Sequence, residues 1–76
     1  MKEILQKIIE NLVENKEEVS INQKDEENST IFEVKVAEAD MGKVIGKQGK
    51  VAKSIRTVMK SVSAKEGKRA NIEFVD

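Results

Sequence analysis

Gly42-Lys43-Val44-Ile45-Gly46-Lys47-Gln48-Gly49-Lys50 is the only stretch of this 76-residue sequence in which glycines cluster. It stands where an acidic half of the chain gives way to a basic half. Gly46 and Gly49 enclose Lys47 and Gln48, and glycine without a Cβ allows a tight turn that another backbone can approach closely. The Gly-x-x-Gly pattern alone carries little weight. At a glycine frequency near 7%, a chain of this length contains one by chance roughly a third of the time. Its meaning depends on what flanks it.

On the upstream side, Asp40 reads as an N-cap for a short helix over Met41 to Ile45. On the downstream side, the pattern predicts a longer helix from about Lys50 to Ala64. Val51, Ile55, Val58, Met59 and Val62 form its buried stripe. Lys50, Lys53, Arg56 and Lys60 gather on another face, roughly 150° around the helix at about 100° per residue. Gly67 reads as its stop signal. Ala70, Ile72 and Phe74 then alternate with Asn71, Glu73 and Val75, which predicts a final strand.

Further upstream, Ile4, Leu5, Ile8, Ile9, Leu12 and Val13 recur at helical spacing, and Asn15 and Lys16 end the pattern. Val19 and Ile21 alternate with Ser20 and Asn22, and Asp25 to Asn28 reads as a polar turn. A second strand follows over Ile31 to Val36, with Phe32, Val34 and Val36 toward the core. The acids of the turn lack the ligand spacing and the glycine of a calcium loop, so they read as a solvated tip. A strand joined to another through two helices lies parallel to it by a right-handed crossover. The expectation is a three-stranded mixed sheet with Ile31 to Val36 central and three helices on one face. The other face carries Ser20, Asn22, Glu33, Lys35, Asn71 and Glu73.

The net charge is zero, but its distribution is lopsided. Met1 to Asp40 holds five Lys against eleven acids, and Met41 to Asp76 holds nine Lys and Arg against three acids. Between Lys43 and Arg69, nine basic residues face one acid, Glu66. Such asymmetry suggests a surface for a polyanion. There is no Cys and no His, which removes thiol nucleophiles, disulfides and the usual zinc ligands and general base. Gly46-Lys47 is followed by Gln48 rather than Ser or Thr, so the stretch does not fit a P-loop. No enzyme activity, metal or cofactor is expected. With no Trp or Tyr, and with Phe32 and Phe74 assigned to the core, an aromatic platform for stacking bases is absent. No apolar run reaches spanning length, and the expectation is a soluble intracellular protein without membrane insertion.

This order of elements, with Val44 to Gly49 between two helices, resembles an RNA-binding KH domain of the second, bacterial-type topology, αββααβ, in the α+β class. The resemblance covers residues 1–76 as one free-standing domain. Val36-Ala37, Asp40 to Gly49, Ile55-Arg56-Thr57 and Ala64 to Arg69 are similar to the small bacterial KH proteins of the KhpA (YlqC) family. Glu38-Ala39 stands where that pattern has a Pro-containing pair. The resemblance implies cytoplasmic single-stranded RNA binding, with a loop that clamps about four nucleotides. It places the bases in an aliphatic groove around Val44, Ile45 and the following helix. The implied RNA-binding residues are Lys43, Ile45, Gly46, Lys47, Gln48, Gly49, Lys50, Lys53 and Arg56. It further implies a small post-transcriptional regulator or RNA chaperone that forms a homodimer, or a heterodimer with a larger KH-containing bacterial protein. A dimerising interaction module in which RNA binding is secondary is the alternative.

Overall fold

The computed structural model describes residues Met1–Val75. The chain runs α1 (Lys2–Leu12), β1 (Ser20–Asp25), β2 (Ser29–Lys35), α2 (Met41–Ile45), α3 (Lys50–Lys65) and β3 (Arg69–Val75), with short 3-10 turns between several of them. The alternation in β2 turns Thr30, Phe32 and Val34 inward, where all three are fully buried. β2 is central, pairing antiparallel with β1 and parallel with β3. Ile21 and Phe74 flank Val34, and Gln23 and Ile72 flank Phe32. The two-helix crossover from β2 to β3 is long enough to return the chain to the same end of the sheet, hence the parallel pair.

The hairpin extends further than its apolar residues indicate. Asn22 to Asp25 are exposed and polar, yet they pair with Glu33 to Thr30 along the ladder. The tip is therefore reduced to Glu26–Asn28, closed by the Glu26 N–H on the Ser29 carbonyl at 2.8 Å. Thr30 is buried with its hydroxyl donating to Asp25 Oδ1 at 3.0 Å. Backbone pairing and one satisfied hydroxyl hold this strand where hydrophobic periodicity gives no signal.

The helices cover the inner face. Leu5 and Ile9 from α1, Val44 from α2, and Ile55 and Met59 from α3 close over Phe32, Val34 and Ile72 in one cluster. α1 ends at Leu12, before Asn15, and Ile4 is exposed at its outer edge. On α3 the buried line is Ala52, Ile55, Met59 and Ser63. Val58, expected in the core, is 46% exposed, and Val51 and Val62 are only half-buried. The reason is rotation. The small side chains of Ala52 and Ser63 let α3 settle on the sheet along the Ile55–Met59 line, leaving the three valines on its flank. Gly67, at φ +72, ends α3 as expected.

Asp40 stands at the N-cap position of α2 but does not cap it: its side chain makes no bond to the helix's own N–H groups. Its carboxylate, 1% exposed, accepts instead from the Asn15 N–H at 2.9 Å, the Asn15 Nδ2 at 3.0 Å and the Glu14 N–H at 3.2 Å. These donors belong to the segment just past α1. The Asn15 N–H above all, with the Glu14 N–H, the Asn15 amide and Lys43, holds the Asp40 carboxyl below the usual carboxylate range, outweighing the opposing effect of burial. Asp40 therefore ties the end of α1 to the start of α2, and so fixes where α2 delivers the chain.

Candidate nucleic-acid interface

α2 ends at Gly46, whose N–H bonds to the Gly42 carbonyl at 2.8 Å. Gly46 then adopts φ +76, ψ 174, a conformation open essentially to glycine alone. A Cβ there would stand 2.3 Å from Val51 Cγ2 and 2.8 Å from the Val51 backbone nitrogen. Two independent constraints, dihedral and steric, thus require glycine at this position. Gln48 follows in the left-handed region at φ +57, and Gly49 at φ +75. A left-handed non-glycine residue costs about 1–2 kcal/mol. Three of the four loop residues thus have positive φ, and the turn holds itself with a Gly49 N–H to Gly46 carbonyl bond of 3.2 Å.

This strained turn delivers the chain into a 16-residue helix without a side-chain cap. The Lys50 N–H at the start of α3 bonds to the Lys47 carbonyl within the loop, and the positive end of the helix dipole lies there. Lys47, Gln48 and Lys50 surround that end and are exposed. Lys53 is exposed one turn further along. Among the described residues, Lys47, Lys50 and Lys53 have no carboxylate within ion-pairing distance. Ile45 is half-buried against the core, and Val44 is fully buried within it. The arrangement is a concentration of positive charge at the start of a helix, suited to a phosphate.

Two of the residues singled out from sequence have protein partners. Lys43 Nζ lies 3.0 Å from Glu14 Oε1 and 3.4 Å from Asp40 Oδ1. The Glu14 hydrogen bond foremost, with Asp40 behind it, pushes the Lys43 ammonium above its ordinary value against the effect of burial. Lys43 belongs to the junction that Asp40 makes. Arg56 lies on α3 away from the loop, its Nε donating to the Ile72 carbonyl at 3.2 Å and its guanidinium 5.6 Å from the Phe74 ring centre. Phe74 is half-buried at the core margin beneath it. The structure therefore brings Ile45 to Lys50 and Lys53 together at one corner and holds Lys43 and Arg56 on either side.

Sequence reasoning missed the role of Asp40, because an acid before a helix satisfies the N-cap rule without reference to residues 25 positions away. In the sequence, Lys68 and Arg69 belong to the basic run and to the family-like segment Ala64 to Arg69, and are not named as site residues.

The family description "KhpA/KhpB, KH domain" matches residues 2–74. A protein of Clostridium acetobutylicum named RNA-binding protein KhpA is 49% identical over 75 residues, covering 99% of this chain and 100% of the relative. Proteins of the same name from Borreliella burgdorferi and Aquifex aeolicus are 38% and 36% identical. They align over 97% and 100% of this chain and over 90% and 96% of their own lengths. No solved structure matches the chain at a significant level.

Proposed function

This chain belongs to the KhpA/KhpB KH-domain family, and from that premise we propose that it holds single-stranded RNA at the Gly46–Gly49 loop. The observation that carries this reading is the loop itself: three positive-φ residues entering an uncapped helix start, beside Lys47 and Lys50 without a carboxylate partner among the described residues. The positive end of the α3 dipole and the two ammonium groups hold phosphates, Gln48 donates a hydrogen bond, and Lys53 extends the positive surface. The half-buried side chain of Ile45 offers an aliphatic surface for a base. Lys43 and Arg56 contribute from the two sides, Lys43 mainly by holding α2 in place. The role is binding rather than catalysis, in a cytoplasmic regulator or chaperone of RNA built as one KH domain.

If three or four phosphates are neutralised, log affinity falls against log salt with a slope of about −2 to −3. The Lys47→Asp/Gln48→Asp double variant is expected to lose binding to a labelled single-stranded oligonucleotide while its circular dichroism and melting stay near wild type. Unchanged affinity in that variant sinks the assignment.

A second reading concerns assembly. Val58 on α3 and Val75 at the end of β3 are exposed apolar side chains, which supports a contact with another copy or with a larger KH-containing protein. Sedimentation across a concentration range tests it, and a monomer at high micromolar concentration removes the homodimer.

A further inference from the structure

The two edges of the sheet are finished differently. On β3 the Ile72 carbonyl faces outward and accepts from the Arg56 Nε at 3.2 Å, so a side chain from α3 covers that edge. On β1 the bond from the Glu26 N–H to the Ser29 carbonyl sets the phase of the antiparallel ladder. Bonded and non-bonded pairs alternate from there. Asn22 and Lys24 therefore bond to β2, whereas Ile21, Gln23 and Asp25 turn their N–H and C=O groups outward. Among the described residues, no backbone bond outside the ladder reaches these three. The further bonds at Gln23 and Asp25 are made by their side chains.

The devices that blunt an edge strand are also missing from β1. Its register is continuous, with no bulge, and it contains no proline. Its one lysine, Lys24, is drawn across the outer face to Glu33, with Nζ 3.6 Å from Oε1. That lysine does not guard the edge.

Charge decides what fits there. Glu17 and Glu18 precede the strand, and Glu26 and Glu27 follow it. All four are exposed and lack an ion-pair partner among the described residues. The six residues of β1 span about 20 Å, with carboxylates at both ends. A second copy is the wrong occupant for this edge. Paired antiparallel about a two-fold axis, its Glu17 and Glu18 would lie beside Glu26 and Glu27 of the first, and like charges opposed across strands are destabilising. The same acids favour a strand with cations near both of its ends.

We propose that the open edge of β1 takes an extended basic segment of another protein as a fourth strand. Backbone bonds from Ile21, Gln23 and Asp25 hold the segment, and the carboxylates at the two ends engage its lysines or arginines. β2 lies between this edge and β3. The surface is therefore separate from the basic side of α3, and the inference does not depend on the RNA reading.

The test titrates the full chain into a fluorescein-labelled peptide, Lys-Arg-Thr-Val-Thr-Val-Lys-Arg, and follows anisotropy. Binding is expected, and saturating peptide should slow hydrogen exchange at the Ile21, Gln23 and Asp25 amides by about tenfold or more. A peptide with glutamate in place of the four cations should not bind. Gln23→Pro removes an outward N–H that the fold does not use, a substitution an edge strand tolerates, and should weaken binding about tenfold. Methylation of the peptide's backbone nitrogens reads the same bonds from the other side, so the test holds even where the proline variant does not fold. Of two peptides methylated at alternate nitrogens, one should lose binding about tenfold and the other should keep it. Glu17→Lys/Glu27→Lys should weaken binding and flatten its dependence on salt. No binding at millimolar peptide overturns the proposal. So does equal binding of the two methylated peptides with the β1 amides unprotected, which would show cations held by the acidic surface without strand addition. Protection of those amides that grows with protein concentration in the absence of peptide would assign the edge to a second copy, and also overturns it.

Discussion

The two ends of α2 are built on opposite plans. At its start, Asp40 is buried and accepts three hydrogen bonds from Glu14 and Asn15, and Lys43 completes the cluster as a cation. Asp40, Lys43 and Glu14 all have protein partners there. At its end, five residues on, Gly46 to Gly49 carry positive φ at three positions, and the lysines around them have no carboxylate beside them among the described residues. One end uses electrostatics to hold the fold. The other accepts backbone strain and leaves its lysines accessible. Lys43 and Lys47 look equivalent in sequence, four residues apart in one basic run, yet they belong to different plans. Under the proposed function, the charges without partners, rather than all the positive charges, make the binding surface.

The strongest way to break this contrast is at Gly46. Alanine there meets the Val51 side chain and its backbone nitrogen and must hold φ +76. Strain of about 1–3 kcal/mol adds to overpacking of about 1–3 kcal/mol, so Gly46→Ala is expected to lose about 3 kcal/mol or more. For a domain of this size that is a fall in Tm of about 15 °C or more. Gly49→Ala, whose Cβ would meet nothing within 4 Å, carries the dihedral cost alone, about 1–2 kcal/mol. Thermal melts of the two variants read the difference. Equal losses would show that strain, and not the seat on Val51, governs both glycines.

The other end gives a smaller, pH-dependent effect. Asp40 has its folded pKa depressed, chiefly by the Asn15 N–H. Its contribution is therefore fully present above the unfolded carboxyl value of about 3.9 and is lost as pH falls through the lower folded value. Asp40→Asn is expected to lower Tm by several degrees, by a constant amount between about pH 5 and pH 7. That deficit should shrink below about pH 4 as the wild-type carboxyl protonates. Below its own melting, the variant should retain the loop's affinity for RNA. A deficit independent of pH down to strong acid would show that shape, and not charge, makes the junction.

Much of this was legible because it is local or periodic. The alternation of Phe32 and Val34, the helical spacing of Leu5 with Ile9 and of Ile55 with Met59, and the break at Gly46 each follow from a few neighbouring residues. So did the sheet order, since two helices between strands leave little topological choice. The polar half of β1 was not legible, because its ladder to β2 rather than any buried side chain keeps it extended. Val58 was misplaced because an apolar residue on the flank of a helix reads like one in its stripe, and only the seating of Ala52 on the sheet decides between them. Asp40 and Lys43 escaped for one reason: their partners come from the end of α1, and no local rule connects the two segments. At the candidate site, the loop's backbone was readable from its glycines, whereas the partnering of each lysine required the fold.

Gly42 gives the smallest effect and tests the neutrality of the ground between the two ends. It lies inside α2 with helical backbone, and a Cβ there would meet nothing within 4 Å. Neither the junction at Asp40 nor the turn at Gly46 needs glycine here. A glycine inside a helix is less stable than alanine by roughly 0.5–1 kcal/mol, because it loses more backbone freedom on folding. In a helix of five residues the lower figure applies, and Gly42→Ala is expected to raise Tm by about 2–4 °C. The sign is what matters. Alanine at Gly46 must destabilise and alanine at Gly42 must stabilise, although the two glycines stand one helical turn apart in the same nine-residue stretch. A fall in Tm for Gly42→Ala would mean that the middle of α2 is constrained by a contact that neither end accounts for, and the division of this helix into two plans would not hold.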